Sequence, residues 1–341
     1  MAAPVILCST KGMDRRTWLA CRQHGPDGSI PYTLGGSDIS AMFDLSPWKT
    51  RLELWMEKKG LLAVDDSSNA AQKEMGQLME PIVAHWYGVK TGNAVLEDTN
   101  LYQHAAYPWA LANIDYGAIK KGVQGGLECK TTSYHKAVDW ADGALPYYYE
   151  YQARFYMAVK DMPFWDVCCL WGNNPEEDMA VRELERDPFK EGEIMDAGSA
   201  FIQSLHDNEP PTMSDAEPKL ALKALARIYG NSVKGQPTIE FSRKYENTIR
   251  RIASLQQELR ELHTLSDRKE KEVEALSVRI AEVMKDHEYG VLETASEKFK
   301  IDFVTKVKRM PDTQKLKQIY GAAYWDYTKP SYSRKVKVSV V

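Results

Sequence analysis

Residues 111–131 have the sequence LANIDYGAIKKGVQGGLECKT, and this stretch determines the predicted fold. It contains a short strand-compatible segment, Ala112–Ile119, then a Lys-Lys-Gly turn and a longer segment, Val123–Thr131, that includes two glycines. Side chains alternate between the two faces of a strand, so Glu128 and Lys130 are expected on one face of the second strand. The sequence therefore predicts a β-hairpin that carries an acid and a lysine side by side.

The charged face of this hairpin predicts a metal site. Burying an unpaired charge is costly, so a strand seldom carries Glu and Lys together on one face without a use for them. If the two strands pair in register, Asp115 lies beside Glu128 and Lys130, and two carboxylates converge with an ammonium group. Carboxylate oxygens suit Mg²⁺ or Mn²⁺, and the lysine can hold a water or neutralise charge on a phosphate. A solvated salt bridge on an edge strand is the alternative, and the hairpin alone leaves it open.

The hairpin also resembles a nuclease signature. Asp115, a spacer and then Glu128-Cys129-Lys130 resemble the Asp…Glu-x-Lys pattern of the PD-(D/E)XK nuclease superfamily. The resemblance implies an α/β (α+β) fold with a restriction-endonuclease-like core, in which helices flank a mixed central sheet. Two strands and then a helix are expected to complete this core, at residues 164–171, 179–186 and 188–208.

A longer motif upstream narrows the family. It consists of W-x-x-x-R at residues 18–22, GGSD at residues 35–38 and LSPWKT-x-x-ELW at residues 45–55. This arrangement closely resembles the N-terminal signature of YqaJ-like viral recombinases, which are relatives of the bacteriophage lambda exonuclease. The resemblance covers mainly residues 15–205, and it implies a metal-dependent nuclease.

The resemblance assigns the metal ligands and the catalytic lysine. It implies that Asp115, Glu128 and the backbone carbonyl of Cys129 hold the metal, which is expected to be Mg²⁺ with Mn²⁺ able to substitute. Glu80, in a G-x-x-x-E-P motif, resembles the third carboxylate; a solvated helix residue is the alternative, because Glu is well tolerated in helices. Lys130 is expected to position or deprotonate the attacking water. The helix that carries Glu80 is expected to bury six apolar side chains: Met75, Leu78, Met79, Ile82, Val83 and Trp86.

A helix is predicted over residues 146–160, PYYYEYQARFYMAVK. Gln152 and Tyr156 are four residues apart and therefore share one face of it. Gln152 resembles the glutamine that follows Glu-x-Lys in these nucleases. Many lambda-type relatives have Q-x-Q, but Arg154 occupies the second position here, which leaves open whether Gln152 or Arg154 meets the scissile phosphate. Arg154 and Tyr156 are assigned to DNA binding, whereas the other tyrosines of residues 147–151 are expected to pack in the core.

The family resemblance implies further contacts with DNA. In lambda-type relatives an arginine ahead of the serine motif captures the 5′-terminal phosphate, and Arg22 and Ser37 stand at the matching places. A guanidinium can donate two charge-assisted hydrogen bonds to one phosphate, and a serine at a helix start adds another donor. Gly35 and Gly36 are expected to let the backbone approach a ligand, and Trp140 is a candidate aromatic contact in a loop near the DNA. For Arg22 and Ser37, a surface arginine beside an ordinary capped helix is the alternative.

Composition indicates a globular protein without a membrane span. The 341 residues include no apolar run long enough to cross a bilayer, and the N-terminus lacks a credible signal peptide, so a cytoplasmic location is expected in the host cell of a phage or prophage. The five cysteines, two of them adjacent, lack CxxC spacing. They are therefore expected to be reduced, mostly buried thiols, and they do not provide the ligands of an iron–sulfur cluster.

Charge and periodicity suggest two parts, a nuclease core at 1–210 and an extension at 211–341. From residue 218 onward there are 25 Lys and Arg against 16 Asp and Glu, which is compatible with a DNA-binding surface or with a solvated Lys-rich helix. Apolar residues at about a 3.5-residue period predict a helical hairpin or short coiled coil over about 241–287, turning near 264–267. A strand-like segment at 291–308 and a basic tail at 332–341 follow.

The leading hypothesis is a Mg²⁺-dependent 5′→3′ exonuclease that resects double-stranded DNA ends for phage-type recombination. The resemblance implies a homo-oligomeric ring, commonly a trimer, and a single-strand annealing protein as partner. An endonuclease on the same fold and a catalytically silent DNA-binding factor are the alternatives. The second of these predicts a lost acid or lysine, whereas Asp115, Glu128 and Lys130 are all present.

Overall fold

The computed structural model describes residues 3–64, 70–213, 216–230, 235–305, 313–321 and 323. The chain divides into two compact units, Met1–Gly230 and Asn231–Val341. The predicted basic tail at 332–341 and the last residues of the predicted strand segment, 306–308, lie outside the described residues.

The first unit contains the predicted sequence of helices and strands. Its helices are α1 (Arg15–His24), α2 (Gly36–Met42), α3 (Arg51–Lys58), α4 (Ala70–Thr91), α5 (Tyr147–Lys160), α6 (Pro188–Asp207) and α7 (Pro218–Tyr229). Its strands are β1 (Val5–Ser9), β2 (Ala94–Glu97), β3 (Asn100–Gln103), β4 (Leu111–Asn113), β5 (Tyr116–Lys120), β6 (Val123–Thr131), β7 (Phe164–Leu170) and β8 (Met179–Glu185). A 3₁₀ segment at Tyr134–Gly143 separates β6 from α5.

Helix starts follow from local capping. The side chain of Asp14 accepts from two backbone amides at the start of α1, and Thr50 with Glu53 forms a capping box at the start of α3. Asp187 caps α6, whose first residue is Pro188, and proline is well suited to that position because its missing N–H is not needed there.

The central sheet has five strands in the order β2-β5-β6-β7-β8. Strands β6 and β7 run parallel and the other neighbouring pairs are antiparallel, so the predicted mixed sheet is confirmed. The predicted first hairpin strand, Ala112–Ile119, is divided in the structure. Its beginning, β4, pairs with β3 in a separate sheet of order β1-β3-β4, and β5 joins the central sheet. Asp115 therefore lies where the chain passes from one sheet to the other.

Helices cover both faces of the central sheet, as the fold prediction requires. On one face, Val83 and Tyr87 of α4 belong to a buried cluster with Leu127 of β6. On the other face, Phe155 of α5 belongs to a larger buried cluster with Trp165 of β7. Each residue of β7 is buried, which explains its nearly continuous apolar sequence. All five cysteines are free thiols and four of them are buried, as predicted.

The buried face of α4 differs from the prediction. Three of the expected core residues, Met75, Leu78 and Ile82, are exposed, whereas the fully buried positions are Val83, Ala84 and Tyr87. The buried positions are confined to the C-terminal half of the helix, which packs against the central sheet. Apolar spacing in the sequence indicated a helix correctly but could not show how much of its length is covered.

The first unit extends beyond the predicted boundary at residue 210 because α7 is tied to α3. Arg227 of α7 donates to Glu53 and to Glu57 of α3, with both nitrogen–oxygen distances 3.1 Å. Both carboxylates are nearly inaccessible to solvent, and such charge pairing stabilises the docking of α7. The compact unit therefore ends at Gly230.

In the second unit, the predicted helical hairpin is wrong. A single helix, α8 (Glu246–Met284), runs through the expected turn at 264–267 and is about 58 Å long at 1.5 Å per residue. That segment contains no Gly or Pro to end a helix, and Ser266 and Lys269 interact within the helix with Glu270 and Glu272. An antiparallel pair follows, β9 (Tyr289–Glu293) and β10 (Lys298–Asp302), and then α9 (Thr313–Tyr320).

None of the described helices combines the length and apolar character needed to cross a membrane.

Candidate active site

The hairpin places three of the predicted site residues together. The Nζ atom of Lys130 is hydrogen-bonded to Oε1 of Glu128, which confirms that these side chains share one face of β6. The amide N–H of Cys129 donates to Oδ2 of Asp115 at 2.9 Å, so Asp115 is anchored to the same strand from across the hairpin. The predicted convergence of two carboxylates and one ammonium group is therefore present.

Helix α5 adds the predicted glutamine. Nε2 of Gln152 donates to Oε1 of Glu128 at 2.6 Å and lies 3.3 Å from the hydroxyl of Tyr156. Oε1 of Glu128 thus accepts from both Lys130 and Gln152. Glu128 is only 1% exposed, so these two donors fix the orientation of a buried carboxylate.

Glu80 of α4 belongs to the same electrostatic group. Burial, and after it the negative charge of Asp115, raises the pKa of Glu80 to about 8. Burial and the charge of Asp115 also raise the pKa of Glu128 to about 7, and burial raises the pKa of Asp115. Three carboxyl groups that resist ionisation together mark a place where a cation is favourable.

Lys130 remains charged in this environment. Burial alone lowers the pKa of its ammonium group, but the carboxylates of Glu128 and Asp115 reverse the effect and raise that pKa above its usual value. The ammonium also lies 5.2 Å from the centre of the Tyr149 ring, a cation–π arrangement. Lys130 is therefore suited to donate hydrogen bonds and stabilise negative charge rather than to accept a proton.

The acidic group offers carboxylate oxygens of the type that bind divalent cations. Oε2 of Glu128 is buried and has no hydrogen-bond partner among the described residues, so one carboxylate oxygen is free to bind a ligand. Hard oxygen donors of this kind are those that Mg²⁺ prefers. Within the described ranges, no group of three or more Asp, Glu, His or Cys side chains is positioned to hold a metal ion. Protein-bound Mg²⁺ commonly keeps several water ligands, so one or two carboxylates can be enough to bind it.

Arg22 and Ser37, predicted to bind a 5′-phosphate, are brought together. Nη2 of Arg22 donates to Oγ of Ser37 at 3.2 Å, and the guanidinium carbon lies 4.6 Å from the centre of the Trp18 ring. The positive charge of Arg22 counteracts the rise in the pKa values of Asp115 and Glu128, so the guanidinium lies within electrostatic reach of the acidic group. Ser37 is exposed in the first turn of α2.

The two glycines before Ser37 serve the packing of protein side chains. A Cβ added to Gly35 would lie 2.8 Å from Nη2 of Arg22, and one added to Gly36 would lie 2.4 Å from the Tyr156 ring. The backbone at these glycines is closely approached, as expected, but by the side chains of Arg22 and Tyr156. Tyr156 is 4% exposed, so its ring supports α2 and only its hydroxyl is directed toward Gln152.

Two residues expected at the DNA, Arg154 and Trp140, are buried among other protein groups. Arg154 is 8% exposed and its guanidinium donates to the Glu150 side chain at 2.7 Å and to the Glu185 carbonyl at 3.2 Å. It therefore serves the packing of α5 instead of the acidic group. Trp140 is 3% exposed, because it packs into the large core cluster.

Sequence reasoning predicted no role in the site for two contributors, Tyr149 and Trp18. Tyr149 precedes Gln152 by three residues and therefore lies on the same helix face, a spacing that could have identified it. Trp18 precedes Arg22 by four residues, and its Nε1 donates to Asn113 at 2.8 Å, which holds the ring in place beside the guanidinium. The expectation that the tyrosines at 147, 148, 149 and 151 pack in the core is wrong for Tyr147, which is 68% exposed.

Comparisons with known proteins bear on this arrangement. The model of the YqaJ-like viral recombinase domain matches residues 17–163. The uncharacterized protein YqaJ of Bacillus subtilis (strain 168) is 27% identical over 339 residues, which is 98% of each chain. The alkaline exonuclease from Laribacter hongkongensis has a TM-score of 0.45 and 19% identity, covering 57% of this chain and 94% of its own. A phage-related exonuclease from Haemophilus somnus 129PT has a TM-score of 0.33 and 13% identity, and the match covers 52% of this chain and 96% of that exonuclease. Residues 17–163 therefore match the YqaJ-like viral recombinase domain, the family that the N-terminal motifs resemble.

Proposed function

We propose that this protein is a metal-dependent exonuclease that degrades one strand of double-stranded DNA from its 5′ end. The observation that carries the proposal is the convergence of Asp115, Glu128, Lys130 and Gln152 on one face of the central sheet. A charged lysine among carboxylates suits the hydrolysis of a phosphodiester, in which negative charge accumulates around phosphorus.

The residues of this site would act through charge and orientation. Lys130, held in its charged form, would donate to the attacking water or to a non-bridging phosphate oxygen. Gln152 would keep Glu128 oriented through its 2.6 Å hydrogen bond, and Asp115 is kept in place by the amide of Cys129. Such preorganised groups lower the barrier because they need no rearrangement during the reaction.

The cofactor proposed for this site is Mg²⁺, with Mn²⁺ able to substitute. Asp115, Glu128, Glu80 and the backbone carbonyl of Cys129 would hold it, and the buried free oxygen of Glu128 supports that assignment. Bound there, the ion would supply Lewis-acid stabilisation of the phosphate and a more acidic water.

The 5′ polarity is proposed from the pairing of Arg22 with Ser37. Their polar atoms are 3.2 Å apart, and Arg22 is close enough to influence the pKa values of Asp115 and Glu128. A terminal phosphate bound between Arg22 and Ser37 would place the first phosphodiester of that strand near the acidic group.

The biological role proposed is the resection of DNA ends in phage-type recombination, in the cytoplasm of a bacterial cell. The YqaJ-like viral recombinase domain supports this role. A single-strand annealing protein is the proposed partner, since it would take up the strand that resection exposes. A homo-oligomeric ring, such as a trimer, is proposed to hold the duplex.

Linear duplex labelled at either the 5′ or the 3′ end, incubated with and without Mg²⁺, tests the proposal. We expect release of the 5′ label as a mononucleotide at the earliest times, and only when Mg²⁺ is present. A closed circular plasmid should remain intact under the same conditions. Cleavage of the circle would support an endonuclease instead, and binding without cleavage of either DNA would support a catalytically silent factor.

A further inference from the structure

An exposed tryptophan lies outside the groups used so far. Trp48, between α2 and α3, is 53% exposed, although burying a side chain of this size would stabilise the fold. Its backbone is held, because Oγ of the buried Ser46 accepts from the amides of Trp48 and Lys49, both at 3.2 Å. The ring is therefore presented to solvent by an ordered segment.

A chain of aromatic rings connects Trp48 to the catalytic lysine. The Trp48 ring meets Tyr148 edge-to-face with centroids 5.1 Å apart, and Tyr148 in turn meets Tyr149 at 4.4 Å. The Tyr149 ring is the one that lies 5.2 Å from Nζ of Lys130. Three consecutive contacts thus lead from the proposed site of cleavage to an exposed ring, and the neighbouring Tyr147 is also exposed.

We propose that Trp48, supported by Tyr148, is a stacking platform for an unpaired nucleobase of the DNA next to the scissile phosphate. This inference rests on the proposed nuclease function, which brings the sugar-phosphate chain to Lys130. The bases attached to that chain must lie to one side of it, and the aromatic chain begins at Lys130. Every base has an apolar face that stacks on an aromatic ring, so such a platform does not depend on sequence.

The charge around Trp48 agrees with a contact to bases rather than to phosphates. The ammonium of the adjacent Lys49 is paired with Glu57 at 2.5 Å, and Glu57 is almost inaccessible to solvent. Lys49 is therefore already engaged, and the chemistry that Trp48 offers is a π-face. Continuity with the proposed catalytic group favours DNA over a protein partner as the occupant.

The test measures DNA binding by the full-length protein in EDTA, so that cleavage does not interfere. Fluorescence anisotropy would compare two 5′-phosphorylated single-stranded oligonucleotides, one ordinary and one in which the bases near the 5′ end are replaced by abasic sites. The variants are Trp48→Ala, Trp48→Phe and, as a control, Phe189→Ala, which removes a ring that is 76% exposed at the start of α6.

Trp48→Ala is expected to weaken binding of the ordinary oligonucleotide by about tenfold or more, which is the effect of losing one stacked base. Trp48→Phe should recover most of that affinity, and Phe189→Ala should bind as the wild type does. With the abasic oligonucleotide, wild type and Trp48→Ala should bind equally.

Three results would overturn the platform. The first is unchanged DNA affinity in Trp48→Ala, and the second is an equal loss of affinity for both oligonucleotides. The third is unchanged DNA affinity together with reduced self-association in light scattering, which would make Trp48 a protein contact. The nuclease proposal has its own failure: a wild-type protein that binds neither oligonucleotide nor cleaves duplex contradicts it. The two hypotheses can therefore fail separately.

Discussion

Replacing Gln152 with alanine is expected to slow DNA cleavage while leaving the fold intact. In the structure its amide donates to Oε1 of Glu128 at 2.6 Å, and the other donor to that oxygen is Lys130. A hydrogen bond to a charged group is worth about 1.5–3 kcal/mol. If that energy is expressed in the transition state, the rate falls about 10- to 100-fold, because each 1.4 kcal/mol or so corresponds to a factor of ten.

The assay is the initial rate of mononucleotide release from linear duplex at saturating Mg²⁺. Since Gln152 orients Glu128, kcat should fall while KM for DNA changes little. Gln203→Ala is the matched control, because it removes a surface amide that donates to Asp207 in the same helix, α6. An unchanged kcat in Gln152→Ala, with a raised KM, would refute the orienting role.

Three further predictions concern the 5′ end, pH and the second unit. Arg22→Ala should abolish the preference for 5′-phosphorylated over 5′-hydroxyl duplex while slow cleavage persists; no preference in the wild type would contradict the pocket. The pKa values of Glu80 and Glu128 are raised, so the folded metal-free protein retains protons that the unfolded chain releases. Its melting temperature should therefore fall as pH rises from about 4.5 to about 8. Adding Mg²⁺ should counteract this loss of stability. A pH-independent melting temperature would contradict this. Truncation after Gly230 should leave a folded protein that still cleaves DNA but binds it more weakly. Truncation at residue 217 also removes Arg227 and should therefore lower the melting temperature. Equal melting temperatures for the two truncated proteins would contradict the role of that arginine.

Local periodicity predicted the centre of the site well. The alternation of β6 was sufficient to place Glu128 and Lys130 on one face, and the turn at residues 120–122 fixed the hairpin that brings Asp115 close. The choice between Gln152 and Arg154 was also within reach of the sequence. Residues two apart in an α-helix point to nearly opposite sides, so only one of them can face Glu128.

The features that sequence analysis missed depend on contacts between distant parts of the chain. The division at Gly230 rests on Arg227 meeting Glu53 and Glu57, more than a hundred residues away. Leu78 is exposed because it lies in the part of α4 that does not pack on the sheet. The apolar spacing of the helix does not show where that packing ends. The single helix α8 has the same stripe of apolar residues that the two helices of a hairpin would have. Heptad spacing alone does not show whether the chain turns within such a stripe.

The most direct test of the proposed catalytic site compares two lysines of the same hairpin. Lys130 is the ammonium of the acidic group, and Lys121 is an exposed residue of the turn. In the Mg²⁺-dependent degradation of linear duplex, Lys130→Gln should lower the initial rate by about a hundredfold or more, as for other preorganised charges. Lys121→Gln should retain the wild-type rate, and circular dichroism should show both variants folded. A folded Lys130→Gln protein that degrades duplex at the wild-type rate would contradict the assignment of the site.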